Sequence, residues 1–526
     1  MLSSSGSSRG RRGAPAPAAA PVAPTQNASW AAFLSDDCGD VETDLTAAKS
    51  AEGKPYVRPR TSLQLHGKGG RLAQAGTLDW DTVGRSRKTA DSYTELDLFS
   101  PTLLSPSCLG KVRISFVAAS PSSCHSIAVS SAGAAYGWGR NDHSQLGLDH
   151  LNTVVAPTSL ELPFKVASAA VGKAHTILIS PAGDGYGAGR CAEGQLGTNQ
   201  SVERVPKFKK MVFASAPQKL AQASCGDFFT VCLDDEGRLY STGLSQFGAL
   251  GNGETGEFFV TASKLAFANC QKLTRRETFC RRDFNFKEAD APEFLPDSST
   301  IRLQRIACGK SHTVAIECAR VGGGPVRVFT WGCGDYGSLG HRVQKDEYYP
   351  RLVETLAGPM FNSNAFTDVS AGTSCSMVNS ENGQAYMWGK FRSVGEATMQ
   401  PALIDFLANN GHEVAGLAAG NSTVILATAE GQTVSYGQGP YGELGYGVDG
   451  AKSSSAPQFI ESINGVKVMD VAAGYGHTLF VLSDEGKDEG KMVGKLAVYG
   501  GDASGTPKKK KKAAAEGGAA KKAKKA

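Results

Sequence analysis

A two-part sequence repeat limits this chain more than any other feature. One part has an aromatic or apolar strand end, a Gly, a short polar turn and a second Gly that usually follows Leu. It occurs six times, at 134–148, 184–198, 238–252, 327–341, 384–398 and 433–447. A leading part precedes each copy, and a seventh leading part at 470–482 follows the last one. Repetition at a fixed period is the signature of a fold built from stacked units.

Each repeat reads as strands joined by tight turns. The leading part usually has a Gly, then three residues later a recurrent His position, then five or six mostly apolar residues, as a partly buried strand does. The copies lie about 50 residues apart, except between Gly243 and Gly332. A two-strand unit cannot bury both of its faces, but seven units arranged around an axis can. The pattern therefore predicts an all-β protein, a seven-bladed β-propeller.

The count of repeat parts suggests how the ring closes. There are seven leading parts but only six trailing parts after them. An isolated segment at 71–85, RLAQAGTLDWDTVGR, has the trailing pattern and would complete the blade that begins at Asp470. The segment 494–501, GKLAVYGG, also looks like a strand that ends in Tyr-Gly. It could fill the same place or add an edge strand beside it.

Composition divides the chain into three parts. Residues 1–68 are rich in Ser, Ala, Pro and Gly and lack periodicity, so we expect a disordered N-terminal tail. The propeller is expected at 69–505, with 71–85 closing the ring and an insertion at 252–300. Residues 506–526 form a Lys-rich tail that we also expect to be disordered.

The two repeat parts resemble the repeat of the regulator of chromosome condensation family, over about 71–500. Four segments, 78–85, 138–148, 337–353 and 441–458, narrow this resemblance to one member of the family. The resemblance implies a seven-bladed propeller and a protein of the nucleus, chromosomes and mitotic apparatus. It also implies binding of small GTPases, with a possible role as a guanine-nucleotide exchange factor.

One position departs from the family pattern. In the family's exchanger for the GTPase Ran, acidic residues beside the His position matter. Here that position holds Cys124, Ala174, Phe228, Ser311, Ser374, Ser422 and Gly476. None is acidic, and Asp227 is one place displaced. The departure puts exchange on Ran in doubt and leaves another GTPase, or binding without exchange.

Two segments are candidate partner surfaces. The first places charges beside paired aromatics, which suits an interface: Lys345, Asp346, Glu347, Tyr348 and Tyr349. The alternative is a solvated loop. The second lies in the insertion and holds Arg275, Arg276, Arg281 and Arg282 near several Phe residues. It could be a wedge for a partner, or a hairpin that covers a blade edge.

The recurrent histidines are interpreted as structural. His125, His175, His312 and His477 occupy one position in successive units, and Phe229, Cys375 and Thr423 fill it in others. A metal or catalytic site would not tolerate those replacements, so we expect each His to bond backbone within its own blade. No catalytic constellation and no phosphate-binding loop is recognisable, and no metal or cofactor is expected.

The C-terminal tail carries the positive charge. The formal net charge is +5, yet 507–526 holds nine Lys and one Glu, so the rest of the chain is slightly acidic. The lysines form two clusters: Lys508, Lys509, Lys510, Lys511 and Lys512, then Lys521, Lys522, Lys524 and Lys525. They resemble a bipartite nuclear import signal and would also bind nucleic-acid phosphates without reading sequence. The alternative is a solubilising tail.

Three functional hypotheses follow. The first is a nuclear or nucleolar, chromosome- and spindle-associated propeller that binds small GTPases in mitosis. The second is a non-enzymatic scaffold for chromatin, microtubules or mitotic kinases. The third is a mitochondrial or plastid RNA or ribosome assembly factor, because the N-terminal segment has the composition of a transit peptide. A monomer without a membrane segment is expected.

Overall fold

A computed structural model describes residues 68–86, 92–105, 109–255, 257–261, 264–267, 269–281, 292–320, 323–358 and 365–500. Apart from Lys68, both tails expected from composition lie outside these residues. No helix in the described ranges is long and apolar enough to cross a membrane.

Seven antiparallel sheets form the blades, and we call the strands of each blade a to d in the order of the sheet. Blade 1 consists of Ile114–Ala118, His125–Ser130, Ala135–Gly139 and Val154–Ser159; blade 2 of Ser168–Val171, His175–Ile179, Gly185–Arg190 and Arg204–Lys210. Blade 3 consists of Leu220–Cys225, Phe229–Asp234, Leu239–Leu244 and Asn269–Arg276; blade 4 of Leu303–Cys308, His312–Glu317, Val328–Gly332 and Glu347–Leu352. Blade 5 consists of Phe366–Ala371, Ser374–Ser380, Ala385–Lys390 and Thr398–Leu403; blade 6 of Val414–Ala419, Thr423–Thr428, Thr433–Gln438 and Ser453–Phe459. Blade 7 consists of Val468–Ala473, His477–Leu482, Arg71–Thr77 and Asp97–Leu104.

The a strands line the axis of the ring. Each a strand contacts the a strand of the next blade, from blade 1 through blade 7 and back to blade 1. The b strands stand behind them and are buried along their whole length in every blade except blade 5. A strand covered on both faces needs apolar residues at successive positions, which explains the apolar runs of the leading repeat part. The seven-bladed propeller expected from the repeat is confirmed.

Strands from both ends of the sequence build blade 7. Arg71–Thr77 pairs antiparallel with His477–Leu482, with Ala73 opposite Phe480. Asp97–Leu104 pairs with the other side of Arg71–Thr77. Val498–Tyr499 lies parallel to Asp97–Leu104, beyond it at the outer edge of the sheet. Of the two positions considered for 494–501, the structure therefore shows the added edge strand. The fourth strand of this blade begins after 71–85 has ended.

The segment 252–300 is not one insertion. It contains a hairpin, Glu257–Thr261 with Lys264–Phe267, and then Asn269–Arg276, which is the d strand that blade 3 requires. Cys280–Arg281 and Glu293–Phe294 follow as a short pair, and Cys280–Arg281 runs parallel to the outer edge of blade 4. The hairpin separates strands c and d of blade 3. The repeat spacing therefore assigned the d strand to the insertion.

Two short α-helices follow strands of the propeller, in addition to single-turn 3-10 helices in the loops. Asp405–Asn409 follows blade 5, and Lys487–Val493 follows strand b of blade 7. The second helix places Val493 in the core beneath blade 7, where it packs with Ile463 and Phe480. It thereby leads the chain from strand b to the edge strand Val498–Tyr499.

Candidate partner-binding face

One end of the propeller carries two loops from every blade. Adjacent strands are antiparallel, so the connections a–b and c–d of each blade emerge at the same end. We call this end the ab/cd face. Around the axis its a–b turns contact one another: the Asp227 amide donates to the Lys310 carbonyl, and the Tyr475 amide donates to the Ser123 carbonyl. Binding residues of propellers belong on such loops, which a rigid scaffold positions.

The rim of this face exposes an apolar side chain on every c–d loop of blades 1 to 6. These residues are Leu151, Val202, Phe247, Tyr336, Val394 and Val448, with 37% to 72% of each exposed. A single exposed apolar residue needs no explanation. Six at equivalent loops on one face form an uneven apolar ring that suits contact with another protein.

Two of these residues are held in a strained conformation. Phe247 has φ 61° and Tyr336 has φ 57°, in neighbouring blades and at the same place in the repeat. A bulky side chain in the left-handed region costs about 1–2 kcal/mol. Strain of this kind concentrates at functional sites, where the surrounding structure enforces it.

Packing against the next blade enforces this geometry. Gly248, which follows Phe247, leaves no room for a side chain because Cδ1 of Tyr348 would lie 2.7 Å from an added Cβ. Gly337, which follows Tyr336, meets Sδ of Met399 at 2.8 Å in the same way. Each c–d turn is therefore clamped by strand d of the following blade, and its aromatic residue is presented to solvent.

Cations accompany the aromatics on this face. Nζ of Lys390 lies 5.1 Å from the ring centre of Tyr336. Nζ of Lys173 lies 5.0 Å from the ring centre of Phe228, and Cζ of Arg190 lies 5.7 Å from it. Ammonium and guanidinium groups over aromatic faces are attracted to them by about 0.5–1 kcal/mol when exposed. This combination of aromatic and basic groups is common at protein interfaces.

Asp227 does not offer a free carboxylate on this face. The residue is 6% exposed, and Nζ of Lys173 lies 3.4 Å from Oδ2 of Asp227. The neighbouring position is Phe228, beneath the two cations. The acidic group found one place away in the sequence is therefore paired within the fold.

The first sequence-predicted surface divides between the face and the interior. Lys345 and Asp346 lie in the c–d loop of blade 4 and are partly exposed. Oδ1 of Asp346 accepts the Gly334 amide at 2.9 Å, and burial raises the pKa of this carboxyl. Glu347 is buried, with Oε1 2.7 Å from Nη1 of Arg351, so it cannot meet a partner.

The paired tyrosines of that surface pack inside the propeller rim. Tyr348 lies against Gly248 of the preceding blade, and the hydroxyl of Tyr349 occupies the space beside Gly253. The ring of Tyr349 also meets Phe294 edge to face, at 5.2 Å between centres. Both side chains are partly exposed, but their contacts are with the neighbouring c–d loop rather than an open patch.

The predicted arginine surface lies at the other end of the blades. Arg275 and Arg276 end strand d of blade 3 opposite Leu239, far along the strand from the ab/cd face. Arg275 pairs with Glu277 at 2.7 Å, and Nε of Arg276 donates to Ser241 Oγ at 2.7 Å. Arg281 lies on the outer edge of blade 4.

Arg281 pairs there with Glu293 at 2.5 Å, and Arg282 lies outside the described residues. Arg275 and Arg276 thus lie at the end opposite the ab/cd face, whereas Arg281 lies beside the strand that carries Tyr348 and Tyr349. The two lysine clusters of the tail also lie outside the described residues.

The recurrent histidines bond across blades, not within them. Nε2 of His125 lies 2.9 Å from Thr176 Oγ1, and Nε2 of His175 lies 3.1 Å from Thr230 Oγ1 in the next blade. His312 reaches Ser376 at 3.0 Å, and His477 reaches Ser126 at 2.7 Å. The expectation of bonds within each blade was wrong, although the structural role stands.

The chemistry of these histidines fixes their protonation. The Thr230 hydroxyl donates to the Gln195 carbonyl at 2.7 Å, so it accepts from His175 and Nε2 carries the proton. Burial lowers the pKa of His125 and His477 to about 3, and that of His175 and His312 to about 4. All four are neutral links between blades. Among the residues the structure describes, no cluster of His, Cys, Asp or Glu has the arrangement of a metal site.

Sequence reasoning missed Phe247 and Tyr336. Their signal was present, since the turns QFGALG and DYGSLG hold an aromatic residue where another copy reads DHSQLG. The sequence alone does not show that both aromatic side chains are exposed and that both residues have positive φ.

Comparison with known proteins identifies the family of the repeat. The model of the regulator of chromosome condensation (RCC1) repeat matches 132–179, 236–316, 327–378 and 430–481, and a second model of this repeat matches 221–249. Protein RCC2 of Homo sapiens is 33% identical over 451 residues, which is 84% of this chain and 82% of that protein. The Protein RCC2 homolog of Danio rerio is 32% identical over 84% of this chain and 86% of that protein.

Solved structures agree on the fold. Prp20p from Saccharomyces cerevisiae, described with its binding properties to Gsp1p and histones, has a TM-score of 0.60 at 20% identity, and covers 82% of this chain and 95% of its own. Yeast RCC1 (Prp20) bound to Kap60 gives 0.62 at 19% identity, over 86% of this chain and 98% of its own. Blades, repeats and similarity to RCC2 agree, and the chain belongs to the regulator of chromosome condensation (RCC1) repeat family.

Proposed function

We propose that this protein binds a small GTPase through the ab/cd face and associates with chromatin in the nucleus. The observation that carries the proposal is the pair of strained, exposed aromatics Phe247 and Tyr336 among cations on that face. A structural neighbour is described by its binding to Gsp1p and histones. The family resemblance adds mitosis and the spindle as the setting and nucleotide exchange as the activity.

Exchange would require preferential binding of the nucleotide-free GTPase. An exchange factor accelerates release because it binds that state more tightly than the nucleotide-bound state. Groups that disturb the phosphate and Mg²⁺ site are the usual means, and they are commonly acidic or polar. Asp227 is buried and paired with Lys173, which favours the second candidate, a scaffold that binds without exchange.

Fluorescent-nucleotide release and direct binding separate these candidates. The full chain is titrated into a panel of small GTPases loaded with fluorescent GDP, and affinity is measured in parallel with nucleotide-free GTPase. We expect binding to at least one GTPase, weakened at least tenfold by Phe247→Ala with Tyr336→Ala. The control is Val498→Ala, an apolar residue 44% exposed at the outer edge of blade 7. Binding without faster release supports the scaffold, and the absence of binding to every GTPase rejects both.

The lysine clusters are proposed to supply nuclear import and chromatin contact. Nine lysines would neutralise several phosphates, so binding to nucleosomes should weaken steeply with salt. Deleting 507–526 should reduce nuclear accumulation and abolish most nucleosome binding. A variant with the lysines changed to arginine retains the charge and serves as the control. Unchanged localisation after the deletion would remove the basis for a nuclear assignment and favour the organelle alternative.

A further inference from the structure

A groove opens on the ab/cd face where blades 6 and 7 meet. Its volume is about 680 Å³, within the range of about 300–1,000 Å³ common for ligand sites. Both termini of the ring contribute to it, since Arg85 follows strand c of blade 7 and Tyr475 lies in its a–b turn. We call it the seam groove. It lies away from Phe247 and Tyr336 and does not depend on the proposed GTPase site.

The amide side chains of the seam groove have their oxygens occupied. Oε1 of Gln438 accepts the amide of Ser393 at 3.0 Å and its hydroxyl at 2.8 Å. Oδ1 of Asn421 accepts the hydroxyl of Thr373 at 3.0 Å. A backbone amide can only donate, so the orientation of Gln438 is determined by its partner. Nδ2 of Asn421 donates to Ser422 Oγ at 3.5 Å, which uses one of its two N–H groups. The second N–H of Asn421 and the amide nitrogen of Gln438 are the groups left for a ligand.

Two further groups are donors. The hydroxyl of Tyr441 accepts the amide of Gly84 at 3.2 Å, so its own proton remains to be donated. Glu443 is 3% exposed, and its Oε2 accepts the amide of Tyr441 at 2.8 Å. Burial raises the pKa of Glu443 to about 8, with a contribution from Asp97, so the carboxyl is protonated at neutral pH.

The titratable side chains around Glu443 leave its carboxyl group protonated. Tyr93, Tyr441 and Tyr475 have pKa values raised above 10, chiefly by burial, and remain neutral. The cations of the seam groove are Lys452 and Arg85. Lys452 lies over the Phe99 ring at 3.9 Å, and Arg85 pairs with Asp142 at 2.5 Å. A set of neutral donors with cations at its border fits an acceptor of negative charge.

The repeat itself shows that Glu443 is unusual. The equivalent position in blades 1 and 2 holds Gln145 and Gln195, whose Oε1 atoms accept the amides of His143 and Glu193. Glu443 makes the same backbone contact with a carboxyl group. The same position holds Ala249, Ser338, Gly395 and Thr82 in the other blades, so Glu443 is the one carboxyl group at this place in the repeat.

We propose that the seam groove binds a carboxylate of an acidic peptide segment, held by Asn421, Gln438, Tyr441 and Glu443. The volume of the groove and the three tyrosines that line it suit a peptide rather than a free acid, since the rings offer apolar contact beside the charged group. Carboxylates accept from such donors in bonds stronger than those between neutral groups. Ionisation of Glu443 would remove a donor and add a repelling charge.

The test uses fluorescence anisotropy with the full chain and a labelled hexapeptide of alternating Asp and Glu. We expect Gln438→Glu to weaken binding at least tenfold at pH 6.5, because it replaces a donor with a second carboxylate. The matched control is Gln400→Glu, the same charge change at an exposed position on strand d of blade 5, which should have no effect. Tyr441→Phe, a smaller change, should weaken binding about threefold.

The pH dependence distinguishes the seam groove from the lysine tail. Wild-type affinity should fall by up to about tenfold between pH 7 and pH 9, and Glu443→Gln should bind equally at both. Equal affinity for Gln438→Glu and Gln400→Glu would show that the lysine tail holds the peptide and would overturn the proposal. Free glutamate competing as well as the unlabelled peptide would overturn the peptide assignment.

Discussion

One glycine in strand c of each blade has the same conformation and the same contact. Gly76, Gly139, Gly189, Gly243, Gly332, Gly389 and Gly437 have φ between 85° and 119°. A side chain at any of them would overlap the carbonyl oxygen before the His position of the same blade. The register between strands c and d shifts beside each one. The bulge and the close approach together require Gly.

Substituting one of these glycines should destabilise the propeller. Gly243→Ala forces a side chain into positive φ and against the Phe228 carbonyl. We expect a loss of about 3 kcal/mol in the free energy of unfolding, measured by urea denaturation. The control is Gly358→Ala, where an added Cβ has 3.9 Å to its nearest neighbour. Equal stability of the two variants would contradict this reading of the bulge.

The interblade histidines predict sensitivity to acid. Their pKa values are lowered on folding from the usual 6.5, so the unfolded chain binds more protons between about pH 4 and 6.5. Stability is therefore complete above pH 6.5 and falls as pH decreases. At pH 5.5 each His costs about 1.4 kcal/mol, or about 6 kcal/mol for the four. Calorimetry should show a steep fall in Tm between pH 6.5 and 5; a flat profile would contradict the neutral links.

Single residues were only partly predictable from the sequence. The glycines and the structural role of the histidines follow from their recurrence. The partners of the histidines do not, because Thr176, Thr230, Ser376 and Ser126 look like ordinary strand residues. Glu347 was misplaced because a charged residue beside tyrosines looks exposed, yet Arg351 four residues later neutralises it in the interior.

At the scale of elements, the strands of blade 7 differ in importance. Arg71–Thr77 lies between two partners, and Ala75 is fully buried opposite Thr478. Val498–Tyr499 is an outer edge strand, and Val498 is 44% exposed. An inner strand carries two ladders of hydrogen bonds and an edge strand only one.

Matched substitutions should reveal this difference. Ala75→Glu buries an unpaired charge in the centre of the sheet, and we expect a loss of at least 3 kcal/mol in unfolding free energy. Val498→Glu makes the same change at the exposed edge and should cost less than about 0.5 kcal/mol. Chemical denaturation of both variants measures the difference. A comparable loss at Val498 would mean that the edge strand is as essential as the closing strand.

The elements also show where a repeat pattern stops being informative. Most strands could be placed because Gly and apolar runs recur. Strand d of blade 3 could not, because a hairpin precedes it and removes it from its expected distance after Gly243. Strand d of blade 7 follows Arg71–Thr77 only after a long loop. The segment 71–85 therefore contains only one of the two strands that complete this blade.

At the scale of the molecule, the contacts between a strands pass unbroken around all seven blades. Backbone bonds join the first described strand to residues more than 400 positions later. In an open array each repeat depends only on its neighbours, so stability is distributed unevenly along it. In a closed ring every blade has two neighbours and should share one global stability.

Hydrogen exchange can test whether the ring behaves as one unit. Deleting 1–78 removes strand c of blade 7, so protection should fall in all blades, including Phe229–Asp234 in blade 3. Deleting 1–60 leaves every described residue in place and is the control. If protection falls only in blades 6, 7 and 1, the blades unfold as separate repeats and the closure is local.

The closing strand has a consequence for synthesis in the cell. Arg71–Thr77 leaves the ribosome early, but its partner His477–Leu482 is made about 400 residues later. At roughly 5–20 residues per second, that is a wait of about 20–80 s. Throughout this time the strand can pair only with Asp97–Leu104, so its other edge, with buried-type alanines and leucine, is open to wrong pairing. The nascent chain is therefore a natural client for chaperones, and the last blade to be translated determines when the first strand can fold.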